Sequence, residues 1–130
     1  MMNQPPAPLV HVLLAEDEVL AAMAIEDALS RAGFRVTVAL NGQLALEADA
    51  KDQADVLLTD LRMPVMGGME LIRHLRDSRP HLPVVVVTGT PPEGGVARIQ
   101  ADDPGQTILL VKPTSIDNLT RAIRQLIGKA

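Results

Sequence analysis

Short apolar runs alternate along the chain with stretches of helical period. Leu9–Ala15 is apolar except for His11 and predicts a first strand, which runs into Glu16-Asp17-Glu18. From Val19 to Arg31, Leu20, Met23, Ala24 and Leu29 recur with Glu26 and Asp27 between them, as in an amphipathic helix. Gly33 stops it, as a glycine just past a helix end should. Val36, Thr37 and Val38 mark a second strand over Arg35–Ala39, Asn41-Gly42 is a turn or helix cap, and Gln43–Ala50 predicts a short helix. Val56–Asp60 is a third strand, bounded by the Pro and Gly loop Met63-Pro64-Val65-Met66-Gly67-Gly68. Gly68–Ser78 predicts a helix with Met69, Leu71, Ile72 and Leu75 inward. Val84-Val85-Val86-Val87-Thr88 is the clearest buried parallel strand. Thr107–Val111 is a fifth strand, ending at Lys112-Pro113. Ser115 is placed to cap a last helix in which Ile116, Leu119, Ile123, Leu126 and Ile127 keep the helical period.

Strands alternating with helices predict an α/β fold: a doubly wound parallel sheet with helices on both faces. The segment between Thr88 and Thr107 departs from the pattern. It holds Pro91-Pro92, Gly94-Gly95 and Pro104-Gly105, so only Val96–Ala101 is free to be helical, and a short or irregular fourth helix is expected. Residues 1–8 are expected to form a disordered Pro-rich lead. Residues 9–130 are expected to form one domain, with no output domain.

Composition removes several function classes. A net charge of −4 argues against a broad nucleic-acid surface, and with Phe34 as the only aromatic there is no platform for stacking bases. The absence of cysteine excludes a thiolate metal site, a disulfide and a cysteine nucleophile. The N-terminus lacks a basic region followed by an apolar stretch, and no apolar run approaches the length of a membrane span. A cytoplasmic location is expected.

In an open parallel sheet, ligands bind beyond the carboxyl ends of the strands. The polar residues at those ends are Glu16 and Asp17 on the first strand, Asp60 on the third, Thr88 on the fourth and Lys112 on the fifth. Converging carboxylates repel one another, and a divalent cation removes that cost. Oxygen ligands and a phosphate suit Mg²⁺. Lys112 supplies a point charge for a phosphoryl oxygen, and Thr88 a hydroxyl donor. Phosphoryl transfer needs little beyond such positioning and neutralisation, and a carboxylate can act as its nucleophile.

Taken in order, Glu16-Asp17, Asp60 within Asp60-Leu-Arg-Met-Pro-Val-Met-Gly-Gly68, Thr88-Gly89 and Lys112-Pro113 resemble the receiver domain of two-component response regulators, over residues 9–127. The resemblance implies a flavodoxin-like sheet of order 2-1-3-4-5. It implies that Asp60 accepts a phosphoryl group from a sensor histidine kinase and that Thr88 and Lys112 act on that group. Gly89 would leave room for the donor and supply an amide. Asp17, Asp60 and the Arg62 backbone carbonyl would ligate Mg²⁺, with Glu16 bound directly or through water. The Lys112-Pro113 bond would be cis. Such a protein catalyses its own phosphorylation and dephosphorylation rather than turning over an external substrate. It would act on a downstream target protein or relay the group to a histidine phosphotransfer protein.

Three positions depart from the family's usual pattern. Leu109 stands where Tyr or Phe is common on the fifth strand, so the coupled swing of an aromatic with the Thr88 hydroxyl is lost. The segment after Thr88 is broken by Pro and Gly. Arg62 brings a cation to the mouth of the site, a position that, with Thr90, is expected to tune phosphoryl lifetime. Arg62 also stands where an aspartyl phosphohydrolase would carry its second acid, which weighs against that reading. The first two departures leave an alternative function open: a docking module with a receiver fold that works without phosphorylation.

Overall fold

Four of the five strands end where an apolar run meets a polar residue, and because the strands are parallel these ends all lie at one edge of the sheet. A computed structural model describes residues 8–95, 97 and 106–127. Its elements are β1 (His11–Ala15), α1 (Val19–Arg31), β2 (Arg35–Ala39), α2 (Gly42–Lys51), β3 (Val56–Thr59), α3 (Gly68–Ser78), β4 (Val84–Thr88), β5 (Thr107–Val111) and α4 (Ile116–Ile127). The five strands are parallel in the order β2-β1-β3-β4-β5. The fold class and strand order expected above are therefore observed. The short fourth helix expected around 96–101, like residues 1–7 of the lead, lies outside the described residues, Ala97 apart.

Alternation along the strands divides the core between the two faces. Leu13, Ala15, Leu57, Val84 and Val86 pack against α2 and α3 through Ala45, Leu71, Ile72 and Leu75. Val12, Leu14, Val56, Leu58, Val85 and Val87 face α1 and α4 through Ala22, Leu29, Leu119, Ala122 and Ile123, with Phe34 beside them. Burying each such Leu, Ile or Val contributes about 1.5–3 kcal/mol.

Local signals set the helix ends. Gly33, at φ +99°, closes a Schellman motif on α1: Phe34 N–H donates to Leu29 O and Gly33 N–H to Ser30 O, both at 3.1 Å. Asn41 caps α2 by accepting from Leu44 N–H at 2.8 Å. Ser115 caps α4 by accepting from Asn118 N–H at 3.1 Å. The Lys112–Pro113 bond is cis.

The apolar face expected of α1 is corrected. Leu20 is 83% and Met23 59% exposed, while Ala22 and Leu29 are buried and Ile25 is partly buried. Two apolar stripes compete on this helix, and the one at positions 22, 25 and 29 meets Val12, Leu14 and Phe34. Ala22, Ile25 and Leu29 face the sheet, and the Leu20–Met23 stripe turns outward.

Candidate functional site

The parallel ladder brings the strand ends together. Asp60 N–H donates to Ala15 O at 3.1 Å, Glu16 N–H to Ala39 O at 3.0 Å, and Lys112 N–H to Thr88 O at 2.9 Å. Each is the first residue past its strand, so its side chain emerges at the same rim.

Glu16, Asp17 and Asp60 each place a carboxylate oxygen within 4.8 Å of the others. Glu16 is buried, Asp60 half-buried and Asp17 exposed, which grades the group from the core to solvent. Lys112 Nζ donates to Asp60 Oδ2 at 2.8 Å and to Glu16 Oε1 at 3.1 Å. The second Glu16 oxygen, Oε2, accepts from Glu18 N–H at 3.0 Å, so the buried carboxylate is hydrogen-bonded through both oxygens. The second Asp60 oxygen, Oδ1, accepts from Leu61 N–H at 2.6 Å and Arg62 N–H at 3.3 Å. Burial works against the Lys112 ammonium, but its hydrogen bonds to Asp60 and Glu16, reinforced by their charges, outweigh that and push its pKa up to about 12.

Of the residues singled out from sequence, Glu16, Asp17, Asp60 and Lys112 form this cluster. Thr88 is buried at the end of β4, next to Lys112 through the main chain. Its hydroxyl accepts from Thr90 N–H at 3.2 Å and donates to Thr90 O at 3.4 Å. The Arg62 side chain is exposed, and the backbone amide is its link to Asp60. Gly89 is exposed, and a Cβ there would meet nothing within 4 Å.

Two contributors escaped the sequence reading. Thr59 is fully buried, and its hydroxyl donates to the Asp60 carbonyl at 2.7 Å. The Glu18 amide reaches back to Glu16. The visible signal for the first was a hydroxyl at the end of an otherwise apolar strand. A backbone amide leaves no mark in a sequence.

Three hard oxygen donors with a cation at one side are what a small divalent ion with retained water accepts, so the residues fit Mg²⁺. The family model described as the response regulator receiver domain matches residues 12–124. The chain belongs to that family. Response regulator MprA of Mycobacterium leprae is 31% identical over 120 residues, covering 92% of this receiver domain's chain and 52% of MprA. The chain thus spans about half the length of that relative. Among solved structures, chemotaxis protein CheY4 of Vibrio cholerae aligns with a TM-score of 0.82 at 26% identity, covering 92% of this chain and 100% of that one. The receiver domain of sensor histidine kinase PA1611 from Pseudomonas aeruginosa, which has a magnesium ion coordinated in its active site cleft, aligns with a TM-score of 0.79 at 28% identity. That match covers 94% of this receiver and 100% of the other. Among the described residues, no helix is long and apolar enough to cross a membrane.

Proposed function

We propose that this receiver domain accepts a phosphoryl group on Asp60 from the phosphohistidine of a sensor histidine kinase in the cytoplasm. The observation that carries the reading is Lys112 Nζ held between Asp60 and Glu16, at the edge of the acidic trio. An Asp60 oxygen forms the new O–P bond as the donor's N–P bond breaks. The electron pair stays on the imidazole nitrogen, which takes up a proton. Leu61 and Arg62 amides hold Oδ1 while this happens, and Lys112 offers its charge to the incoming phosphoryl oxygens. Glu16, Asp17, Asp60 and the Arg62 carbonyl would hold Mg²⁺. When bound, that ion supplies charge neutralisation for the transferring group.

The product exchanges the single charge of the Asp60 carboxylate for the close to two charges of an acyl phosphate, a net gain of about one negative charge beside the acids Glu16 and Asp17. Lys112 is drawn toward the phosphoryl group, and the Thr88 hydroxyl must leave Thr90 to reach it. The Gly89–Thr90 loop is therefore the element that phosphorylation biases. The result is read by a target protein, or the group passes on to a histidine phosphotransfer protein.

The test is incubation with acetyl phosphate, with and without Mg²⁺, for wild type and Asp60→Asn. Intact mass should rise by one phosphoryl group in wild type with Mg²⁺ alone. An unchanged mass there would overturn the reading. One observation favours a second reading, a docking module that works without phosphorylation. Leu109 packs against the core on the α2–α3 side where an aromatic would swing. That reading requires Asp60→Asn to keep full function in cells.

A further inference from the structure

β3 is a central strand, paired with β1 and β4, and Thr59 sits between Ala15 and Val86. Its side chain is fully buried, and its strand-mates Val56, Leu57 and Leu58 are apolar. A valine would fill the same space without a polar atom to satisfy. The hydroxyl instead donates to the Asp60 carbonyl at 2.7 Å. That carbonyl also lies against the start of α3: a Cβ on Gly68 would fall 2.1 Å from its oxygen. The Asp60 carbonyl is thus held by a hydroxyl and by a close-packed backbone.

A peptide unit is planar, with its C=O and N–H pointing in opposite directions. Holding the Asp60 carbonyl therefore sets the direction of the Leu61 N–H. That N–H donates to Asp60 Oδ1 at 2.6 Å, while Oδ2 faces Lys112 at 2.8 Å. The rotation of the carboxylate about its own axis is thus fixed from the strand behind it. We propose that Thr59 is a positioning residue for phosphoryl transfer: its hydroxyl fixes the Asp60–Leu61 peptide plane and so presents the Asp60 carboxylate in line with the donor. This rests on Asp60 being the phosphoacceptor.

With acetyl phosphate as the donor, an Asp60 oxygen forms the O–P bond and the acetyl O–P bond breaks. The electron pair leaves with acetate. Freeing the peptide plane leaves the donor's contacts with Lys112 in place and spoils the alignment of the nucleophile. Alignment of the reacting atoms is the larger part of such a reaction's advantage. The maximal rate should therefore fall while the half-saturating donor concentration stays the same.

Thr59→Ser and Thr59→Ala are the decisive pair, because both lose the methyl group and differ in the hydroxyl. Labelling by acetyl phosphate with Mg²⁺ is followed by intact mass across donor concentrations. Thr59→Ser should label at the wild-type maximal rate and Thr59→Ala about tenfold more slowly, at equal half-saturation. The Leu61 amide resonance should move in Thr59→Ala and stay in Thr59→Ser. Thr59→Val, which keeps the packing, should follow Thr59→Ala. Equal rates for Ser and Ala, with wild type labelling normally, would overturn the role of Thr59 alone. A slow Thr59→Ala whose half-saturation rises in proportion would also overturn it, since that pattern means lost binding. No label on wild type would take down the phosphoacceptor reading and this one together.

Discussion

Lys112 Nζ stands 2.8 Å from Asp60 Oδ2, although 52 positions separate the two residues in the chain. The contact joins the ends of β3 and β5, with β4 lying between them in the sheet. A lysine over the gap can serve two acids at once, and the same ammonium also meets Glu16 Oε1 at 3.1 Å. A phosphoryl group on Asp60 would need the same cation, so the resting and modified states compete for one charge.

That competition has a measurable signature in Lys112→Met. Removing the cation leaves three acids within 4.8 Å of one another without its compensating charge. Mg²⁺ affinity should rise in this variant, by calorimetric titration, while labelling by acetyl phosphate falls. The pH dependence of wild type follows from the raised Lys112 pKa. A group whose folded value lies above its ordinary 10.5 contributes stability that is complete below 10.5 and lost as pH rises through about 12. Metal-free wild type should therefore lose stability between those limits more steeply than Lys112→Met, in urea unfolding. The chain has no Tyr or Cys to blur that window.

Gly68→Ala should damage both stability and labelling. Its Cβ would lie 2.1 Å from Asp60 O, so the start of α3 or the Asp60 peptide must shift. Overpacking of this kind costs about 1–3 kcal/mol. Gly42→Ala should cost a similar amount, since its Cβ would lie 2.5 Å from Met66 O, but it should spare labelling more. Gly89→Ala is the control: with nothing within 4 Å, it should stay within about 0.5 kcal/mol of wild type. Chemical denaturation of the three variants checks the ranking.

Val65 is strained. It is 80% exposed, has φ +70°, and lies under a 2.8 Å bond from Met66 N–H to Pro64 O, which closes a γ-turn of the strained hand. A β-branched residue at positive φ is costly, and no packing offsets it here. Val65→Gly should stabilise the fold by about 1 kcal/mol, the strain relieved less the entropy glycine adds to the unfolded chain. A higher urea midpoint at unchanged slope is the expected result.

The parallel sheet was legible because four of the five strands carry nearly unbroken apolar runs, as in Val84–Val87, and Gly33 and Asn41 punctuate the helices beside them, while its strand order was implied only by the resemblance to receiver domains. The strand-end chemistry followed, since Glu16, Asp60 and Lys112 are each the first residue beyond an apolar run. The outward turn of Leu20 and Met23 was not legible. Two stripes on α1 are both apolar, and only the packing of the folded chain decides which of them meets the sheet. Nor were the buried polar ties, because an Asp on a helix and an Arg in a turn read as surface until tertiary contact joins them.

Asp49 and Arg79 are such a tie. Asp49 is 5% exposed, and its Oδ2 accepts from Arg79 Nη2. Its Oδ1 accepts from Ala54 N–H at 2.9 Å, while Arg79 Nη1 donates to Ala54 O at 2.7 Å. The two side chains thus satisfy both polar groups of Ala54 and join α2 to the end of α3 just ahead of β3. Asp49→Ala strands the Ala54 amide and leaves a cation half-buried, and should cost about 3–5 kcal/mol. Asp49→Asn, which keeps the acceptor for Ala54, should cost less. The double variant Asp49→Ala/Arg79→Ala should lose clearly less than the sum of its parts, since each single change already breaks the shared network. Urea unfolding of the four proteins measures that coupling. Costs that simply add would mean the pair is only adjacent.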